Sequence, residues 1–475
     1  MIKNTKIVAT IGPASNSLKI LKQMITHGMN VARINASHGN HKQHKEIIEN
    51  LRTAEKATKS NIGILYDLQG PKIRIGDLDK EGVTLKKGEK IILHDGQAYI
   101  EKHGQKYIPI QYKPLTHAVE VDEPILIKDG LVELKVLSHN LHKTQVECEV
   151  IAGGLITSKN GINAPKTALT SAALTTKDKA DLEFASSADV DFIALSFVRT
   201  AADLELLRTE CKKLKFTPSI IAKIERPEAM ENLEEITKNA DAIMIARGDL
   251  GIEIPAAKVP LAQRKIIMVA NKFGKPVITA TQVLNSMVNN PRPTRAEVSD
   301  AANAVFDQTD AIMLSNETAV GEYPVETIHI LNEIIQSIET ELRTNKELAH
   351  ASHYQFKNLN PLKAITLNAL ELAMDLDAKV LVAVTKSGYT ANQLAKYHSF
   401  LPIVVYTPNK QIKRQLSLTW GINEIHIKKE IDPTNPTPFL REDLIKQKLV
   451  KKGDEVVVCN AGKNSRERLI ITFAV

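Results

Sequence analysis

Eight short apolar runs before residue 320, most of them followed by a helix-period stretch, constrain this chain more than any other feature. The runs are Lys6–Ile11, Asn30–Ile34, Ile62–Tyr66, Phe192–Leu195, Ser219–Ile224, Ala242–Ala246, Pro276–Ala280 and Ala311–Leu314. Helical spacing follows over Leu18–His27, His41–Lys56, Asp203–Leu214, Ala229–Asn239, Leu261–Phe273 and Arg295–Phe306. Eight β-then-α units predict a (β/α)8 TIM barrel. Such a barrel carries its chemistry at the C-terminal ends of its strands, so the polar residues there are the first candidates for function.

One unit is interrupted. After Asp67 the texture changes to period-two alternation between Gly and Asp turns, as in Glu81–Gly88 and Pro124–Leu134. That pattern predicts an inserted small β-barrel domain, placed at the rim to act as a lid. Glu339–Leu359 reads as a long helix running into a linker, and from Pro361 a β/α rhythm resumes as a separate C-terminal α/β domain. The expected division is 1–70 with 167–340 for the barrel, 71–166 for the lid, and 341–475 for an effector and oligomerisation domain.

Composition narrows the class. The chain has 475 residues, 43% hydrophobic and 25% charged. No apolar run approaches the ~18 residues of a membrane span, and the start shows no signal-peptide core. Three isolated cysteines fit a reducing cytoplasm rather than a disulfide framework. A net charge of +7 suits anionic substrates. The basic residues are dispersed and aromatics are only 4%, so neither a nucleic-acid nor a membrane partner is expected.

The strand ends then supply chemistry. Lys223 and Glu225 lie two apart on one strand, hence on one face. Glu225 and Asp249 end consecutive strands, close enough to share one divalent cation, with magnesium preferred and manganese an alternative. Lys223 is a fixed positive charge amid apolar neighbours, suited to a transition state that gains negative charge. Arg33 and Asn35 end the second strand, Ser37 and His38 follow, Asp67 ends the third, and Arg74 lies just beyond. Arginine forks recognise phosphate, and a carboxylate, an amide and a hydroxyl make a cation site. Gly248 permits close backbone approach to a substrate carboxylate. Thr385, Lys386, Ser387, Gly388 and Thr390 form a turn between strand and helix that reads as a phosphate nest.

Seven segments in order resemble the pyruvate kinase family across nearly the whole chain: Thr5–Ser15, Gly28–Asn35, Ala222–Glu225, Ala246–Gly251, Ile278–Gln282, Pro291–Glu297 and Met313–Ala319. The resemblance implies transfer of the phosphoryl group of phosphoenolpyruvate to ADP, giving pyruvate and ATP, in a cytoplasmic homotetramer. It implies magnesium on Glu225 and Asp249, phosphate contacts from Arg33 and Arg74, and Lys223 beside the transferring group. Gly248, Asp249 and Thr281 would position the carboxylate and enolate, with Pro13, Asn35 and His38 towards the nucleotide. Thr281 and Ser315 are its candidates for relaying a proton through water, and Arg292 and Arg295 for a subunit interface near the site.

The departures are informative. Ala36 stands where the family usually has Phe, Asn316 where it usually has Gly, and Thr175–Asp178 differs at the lid exit. Potassium-activated members carry Glu at Lys72, with Thr and Lys at Leu68 and Gln69. An ammonium beside Asn35, Ser37 and Asp67 can stand in for a bound potassium ion, so no potassium requirement is expected. The turn at Thr385–Thr390 suggests a phosphorylated allosteric effector, a sugar phosphate or AMP, while the short tail 460–465 leaves regulation open. Another phosphoenolpyruvate or pyruvate barrel, or a catalytically silent sensor, is the alternative.

Overall fold

The computed structural model describes residues 3–96, 98–165, 167, 172–345, 361–428, 431, 435–460 and 468–475. Eight parallel strands close into a barrel: β1 (Lys6–Thr10), β2 (Val31–Asn35), β3 (Gly63–Asp67), β4 (Phe192–Leu195), β5 (Ser219–Ile224), β6 (Ala242–Ala246), β7 (Val277–Ala280) and β8 (Ala311–Leu314). The β8–β1 pairing, Lys6 opposite Ala311, completes the ring.

Strand alternation explains why the site is where it is. Side chains at i and i+2 share a face. Val8, Val31, Leu65, Ala194, Ile221, Met244, Ile278 and Met313 fill the barrel interior. Two residues further along the same inward columns come Thr10, Arg33, Asp67, Ser196 and Lys223, and then Glu225. The mouth is therefore the polar continuation of the apolar core.

The helices are near their expected places, with two additions. Thr176–Ser187 supplies the helix of the interrupted third unit, and Pro324–Thr344 that of the eighth. Ala229–Asn239 is two short helices, Pro227–Glu231 and Leu233–Asn239, which share Asn232 as boundary. The long helix expected to run from Glu339 into a linker is the end of Pro324–Thr344, and 346–360 lies outside the described residues.

The insertion after β3 forms a seven-stranded sheet and a separate two-stranded ribbon around one core, where a closed small barrel is expected. Lys90–His94 and Gln105–Pro109 pair in parallel, an exception to the antiparallel pattern. The C-terminal domain has a five-stranded sheet. It includes two strands that the periodicity did not single out, Ile422–Ile427 and Leu469–Ala474. Residues 461–467, including most of the short tail, lie outside the described residues.

The C-terminal domain caps the foot of the barrel. Leu418 packs into the interior cluster, and a Cβ at Gly63 would lie 2.6 Å from Ser417 Oγ and 2.8 Å from Phe192 Cε2. Arg414 reaches across to the buried Asp191, with Nε 2.6 Å from Oδ1. No helix among the described residues is long and apolar enough to cross a membrane.

Candidate active site

At the mouth of the barrel, charges interlock. Asp67 is fully buried between two cations. Its Oδ2 accepts from Arg33 Nε at 2.8 Å and lies 2.7 Å from Nη2, while Oδ1 is 3.3 Å from Lys223 Nζ. Burial opposes its ionisation, but Lys223 and Arg33 outweigh burial and hold the carboxyl below its usual range. Arg33 Nη1 also donates to Thr10 Oγ1 at 3.0 Å.

Lys223 is the hub. Its Nζ donates to Ser196 Oγ at 2.7 Å and sits 2.9 Å from Glu225 Oε1. Burial alone would discharge this ammonium, but Asp67 and Glu225 overcome it and raise its pKa above the ordinary lysine value. Ser196 Oγ in turn donates to Leu68 O at 2.8 Å. Ser196 and Thr10 are site residues that the sequence reading passed over. Both end barrel strands on a polar group, the signal that found their neighbours.

Glu225 Oε2 accepts from Phe197 N at 2.7 Å, and Phe197 holds a left-handed backbone with φ +58°. Oε1 has an ion pair but no hydrogen-bond donor among the described residues. Burial raises the pKa of Glu225, Lys223 counteracts it, and the nearby Asp249 carboxylate raises it further. A buried carboxylate whose charge is countered by one ammonium, and whose pKa is raised by burial and a neighbouring carboxylate, suits a divalent cation. Glu225 and Asp249 offer the oxygen ligands that such a cation takes.

Gly248 N donates to Thr281 Oγ1 at 2.8 Å, which ties the first turn of helix Arg247–Glu253, carrying Asp249, to the end of β7. Ser315 follows β8. Its Oγ is buried with no hydrogen-bond partner among the described residues. A cavity of ≈ 590 Å³ opens beside these groups, lined by Pro13, Arg33, Asn35, His38, Ser315 and Asn316 among others. Burial lowers the pKa of His38, and Arg74, Arg33 and Lys72 lower it further, so three cations converge near this imidazole.

Arg74 lies on the lid side, donating from Nη1 to Lys159 O at 3.0 Å. Ser37 N donates to Asn35 Oδ1, and Leu68 is buried with its N–H on Ala194 O. Lys72 departs from expectation. Its Nζ is 3.6 Å from Asp249 Oδ1 and 4.0 Å from Asp129 Oδ1, whereas Asp67 is neutralised by Arg33 and Lys223. The Lys72 ammonium thus pairs with Asp249 and with Asp129 of the lid rather than with Asp67. Arg292 and Arg295 are exposed.

Both lid connections meet at one residue. Asp178 caps Thr176–Ser187 through a box with Thr175, and its Oδ1 accepts from Gly70 N at 3.1 Å. Lys177 Nζ donates to Ala36 O at 2.7 Å and so grips the loop after β2. In the C-terminal domain, Thr385–Thr390 joins strand Val380–Val384 to helix Tyr389–Ala395. Gly388 takes φ +77°, Lys386 and Ser387 are exposed, and Thr390 Oγ1 is buried with no hydrogen-bond partner among the described residues.

Fold and mouth together define a class: a barrel enzyme with a buried ammonium set between carboxylates, built to stabilise charge on an anionic substrate. The description "Pyruvate kinase, barrel domain" matches residues 2–328, and "Pyruvate kinase, alpha/beta domain" matches 363–467. Similar proteins include a pyruvate kinase of Staphylococcus epidermidis, 40% identical over 89% of this chain and 72% of that protein. Another is from Geobacillus stearothermophilus, 40% identical over 96% of this chain and 77% of that one. A solved pyruvate kinase from Cryptosporidium parvum matches with a TM-score of 0.90 at 33% identity, covering 99% of this chain and 96% of that one. The chain belongs to the pyruvate kinase family, phosphotransferases that move the phosphoryl group of phosphoenolpyruvate to ADP.

Proposed function

We propose that the mouth of this barrel divides the pyruvate kinase reaction among its own residues as follows. Phosphoenolpyruvate lies over Lys223, with its carboxylate against the Gly248–Asp249 turn and Thr281, and its phosphate towards Arg33 and Arg74. ADP enters the cavity beside Pro13, Asn35 and His38. A β-phosphate oxygen of ADP attacks phosphorus, and the bond from phosphorus to the enol oxygen breaks. The electron pair stays on that oxygen as an enolate, where Lys223 offers a fixed charge. Glu225 and Asp249 would hold magnesium, or manganese, which when bound neutralises charge on the substrate oxygens. The enolate then takes a proton at its methylene carbon. Thr281 and Ser315 relay that proton through water, and the unpartnered Ser315 hydroxyl supports this role.

One observation carries the reading: Lys223 is buried yet kept charged by Asp67 and Glu225. Coupled assay of pyruvate formation from phosphoenolpyruvate, ADP and magnesium tests it. Loss of the ammonium in Lys223→Met should cut turnover on the order of 10³-fold or more while leaving phosphoenolpyruvate binding measurable.

We also propose independence from potassium. Leu68 offers no side-chain oxygen, and Asp67 is already neutralised by two cations. Rates measured without and with potassium test this, and a rate that needs potassium would refute it. The division into 1–70 with 167–340, 71–166 and 341–475, a homotetramer, a cytoplasmic setting and a phosphorylated effector at Thr385–Thr390 complete the proposal.

A further inference from the structure

Thr281 and Gln282, directly after β7, both have left-handed backbones, with φ +67° and +53°. Neither is glycine, and threonine is β-branched, so this conformation crowds its side chain. Such residues persist only where their surroundings over-determine them.

Here much of the determination comes from one side chain. Arg247 Nε donates to the carbonyls of Ala280 and Thr281, each at 3.3 Å. Its Nη2 donates to Thr281 O at 2.8 Å and Gln282 O at 3.3 Å. The guanidinium is itself braced by Asp300, 2.8 Å from Nη1 on helix Arg295–Phe306, and by Gln263 on helix Val259–Phe273. A rigid planar fork thus meets three successive carbonyls of the strained turn.

The consequence falls on the Thr281 hydroxyl. It accepts from Gly248 N at 2.8 Å and donates to Ala280 O at 2.7 Å. Ala280 O is also an Arg247 acceptor, and Gly248 is the next residue after Arg247. Backbone and hydroxyl are therefore fixed from the turn that carries Asp249.

We infer that Arg247 is a positioning residue for proton delivery: it pins the left-handed Thr281–Gln282 turn so that the Thr281 hydroxyl stays at the mouth of the barrel. This rests on the role given to Thr281 above. In that step the enolate carbon–carbon π pair forms the new C–H bond at the methylene carbon. The enolate oxygen becomes the ketone oxygen, and water replaces the donated proton.

Kinetics of Arg247→Lys test the inference. Lysine keeps the charge towards Asp300 but loses the fork. Turnover should fall about 10²-fold, the scale of a small misplacement, with KM for phosphoenolpyruvate little changed. Exchange of solvent deuterium into the methyl group of pyruvate should fall in step. Adding Gln282→Gly to R247K should restore much of both rates, because glycine holds φ > 0 without an anchor. Asp300→Asn, which loosens the brace while keeping Arg247, should give a smaller loss and guards against a misfolded R247K. Wild-type exchange in R247K, or a loss that Q282G leaves untouched, would overturn the inference. Thr281→Ala separates the two levels. If T281A exchanges normally, the role of Thr281 itself fails. If T281A is impaired while R247K and D300N are normal, only the inference about Arg247 fails.

Discussion

Lys223 and Glu225 show how far single residues carry the account. Both are buried, and each determines the other's charge. Their i, i+2 spacing on one strand was legible in the sequence, since alternation dictates a shared face. The alignment that turns Glu225 Oε1 to Lys223 was not, because it depends on Phe197 N, two residues past β4, engaging the other oxygen. A pH dependence follows. The carboxyl of Glu225 is raised by burial and by Asp249, so the folded protein binds this proton more tightly than the unfolded chain. Without metal, its contribution to stability falls as pH rises from the ordinary carboxylate value through the raised one. Magnesium competes with that same proton. The rise in melting temperature on adding magnesium should therefore be larger at about pH 8 than at about pH 5. In Glu225→Gln the magnesium-induced rise should largely disappear. An unchanged rise in the variant would remove Glu225 from the metal site.

Among the elements, the joints decide more than the strands. Gly63 opens β3 at the foot of the barrel, where the C-terminal domain packs against it. A Cβ there would meet Ser417 Oγ and Phe192, so Gly63→Ala should destabilise by about 1–3 kcal/mol in denaturant titration, as overpacking does. The barrel strands were legible because each is a continuous apolar run ending in a polar residue. Less visible were Thr176–Ser187, whose apolar face is interrupted by the buried Asp178 and Asp181, and Ile422–Ile427, whose alternation is broken by Asn423, Glu424 and His426. Those polar residues serve tertiary partners. Asp178 takes Gly70 N at the lid hinge, and Asn423 takes Lys6 Nζ at 2.6 Å. Lys72 is similar: its charge is legible in the sequence, but its pairing with Asp249 and Asp129 depends on tertiary contacts. Lys72→Met should tighten manganese binding, seen by electron paramagnetic resonance of the free ion, because Asp249 then loses its present ion-pair partner. Weaker or equal binding would contradict that.

At the scale of the whole molecule, the C-terminal domain closes the foot while chemistry sits at the mouth. Lys6 marks the closure. It is fully buried, and its Nζ donates to Ile422 O and Asn423 Oδ1. Burial brings its pKa down to about 7, against the partial rescue of Glu339 and Asp310. The unfolded chain therefore binds more protons than the folded one between about 7 and the ordinary 10.5, so stability should rise with pH across that window. Lys6→Met should flatten this rise in denaturant titrations. The central claim, however, is that a buried, charge-locked lysine at the mouth drives phosphoryl transfer. The most direct measurement is turnover of wild type and Lys223→Met with phosphoenolpyruvate, ADP and magnesium in potassium-free buffer, each confirmed folded by circular dichroism. The account predicts rapid pyruvate formation by the wild type and a loss on the order of 10³-fold or more in the variant. A folded Lys223→Met protein that forms pyruvate at the wild-type rate would contradict it.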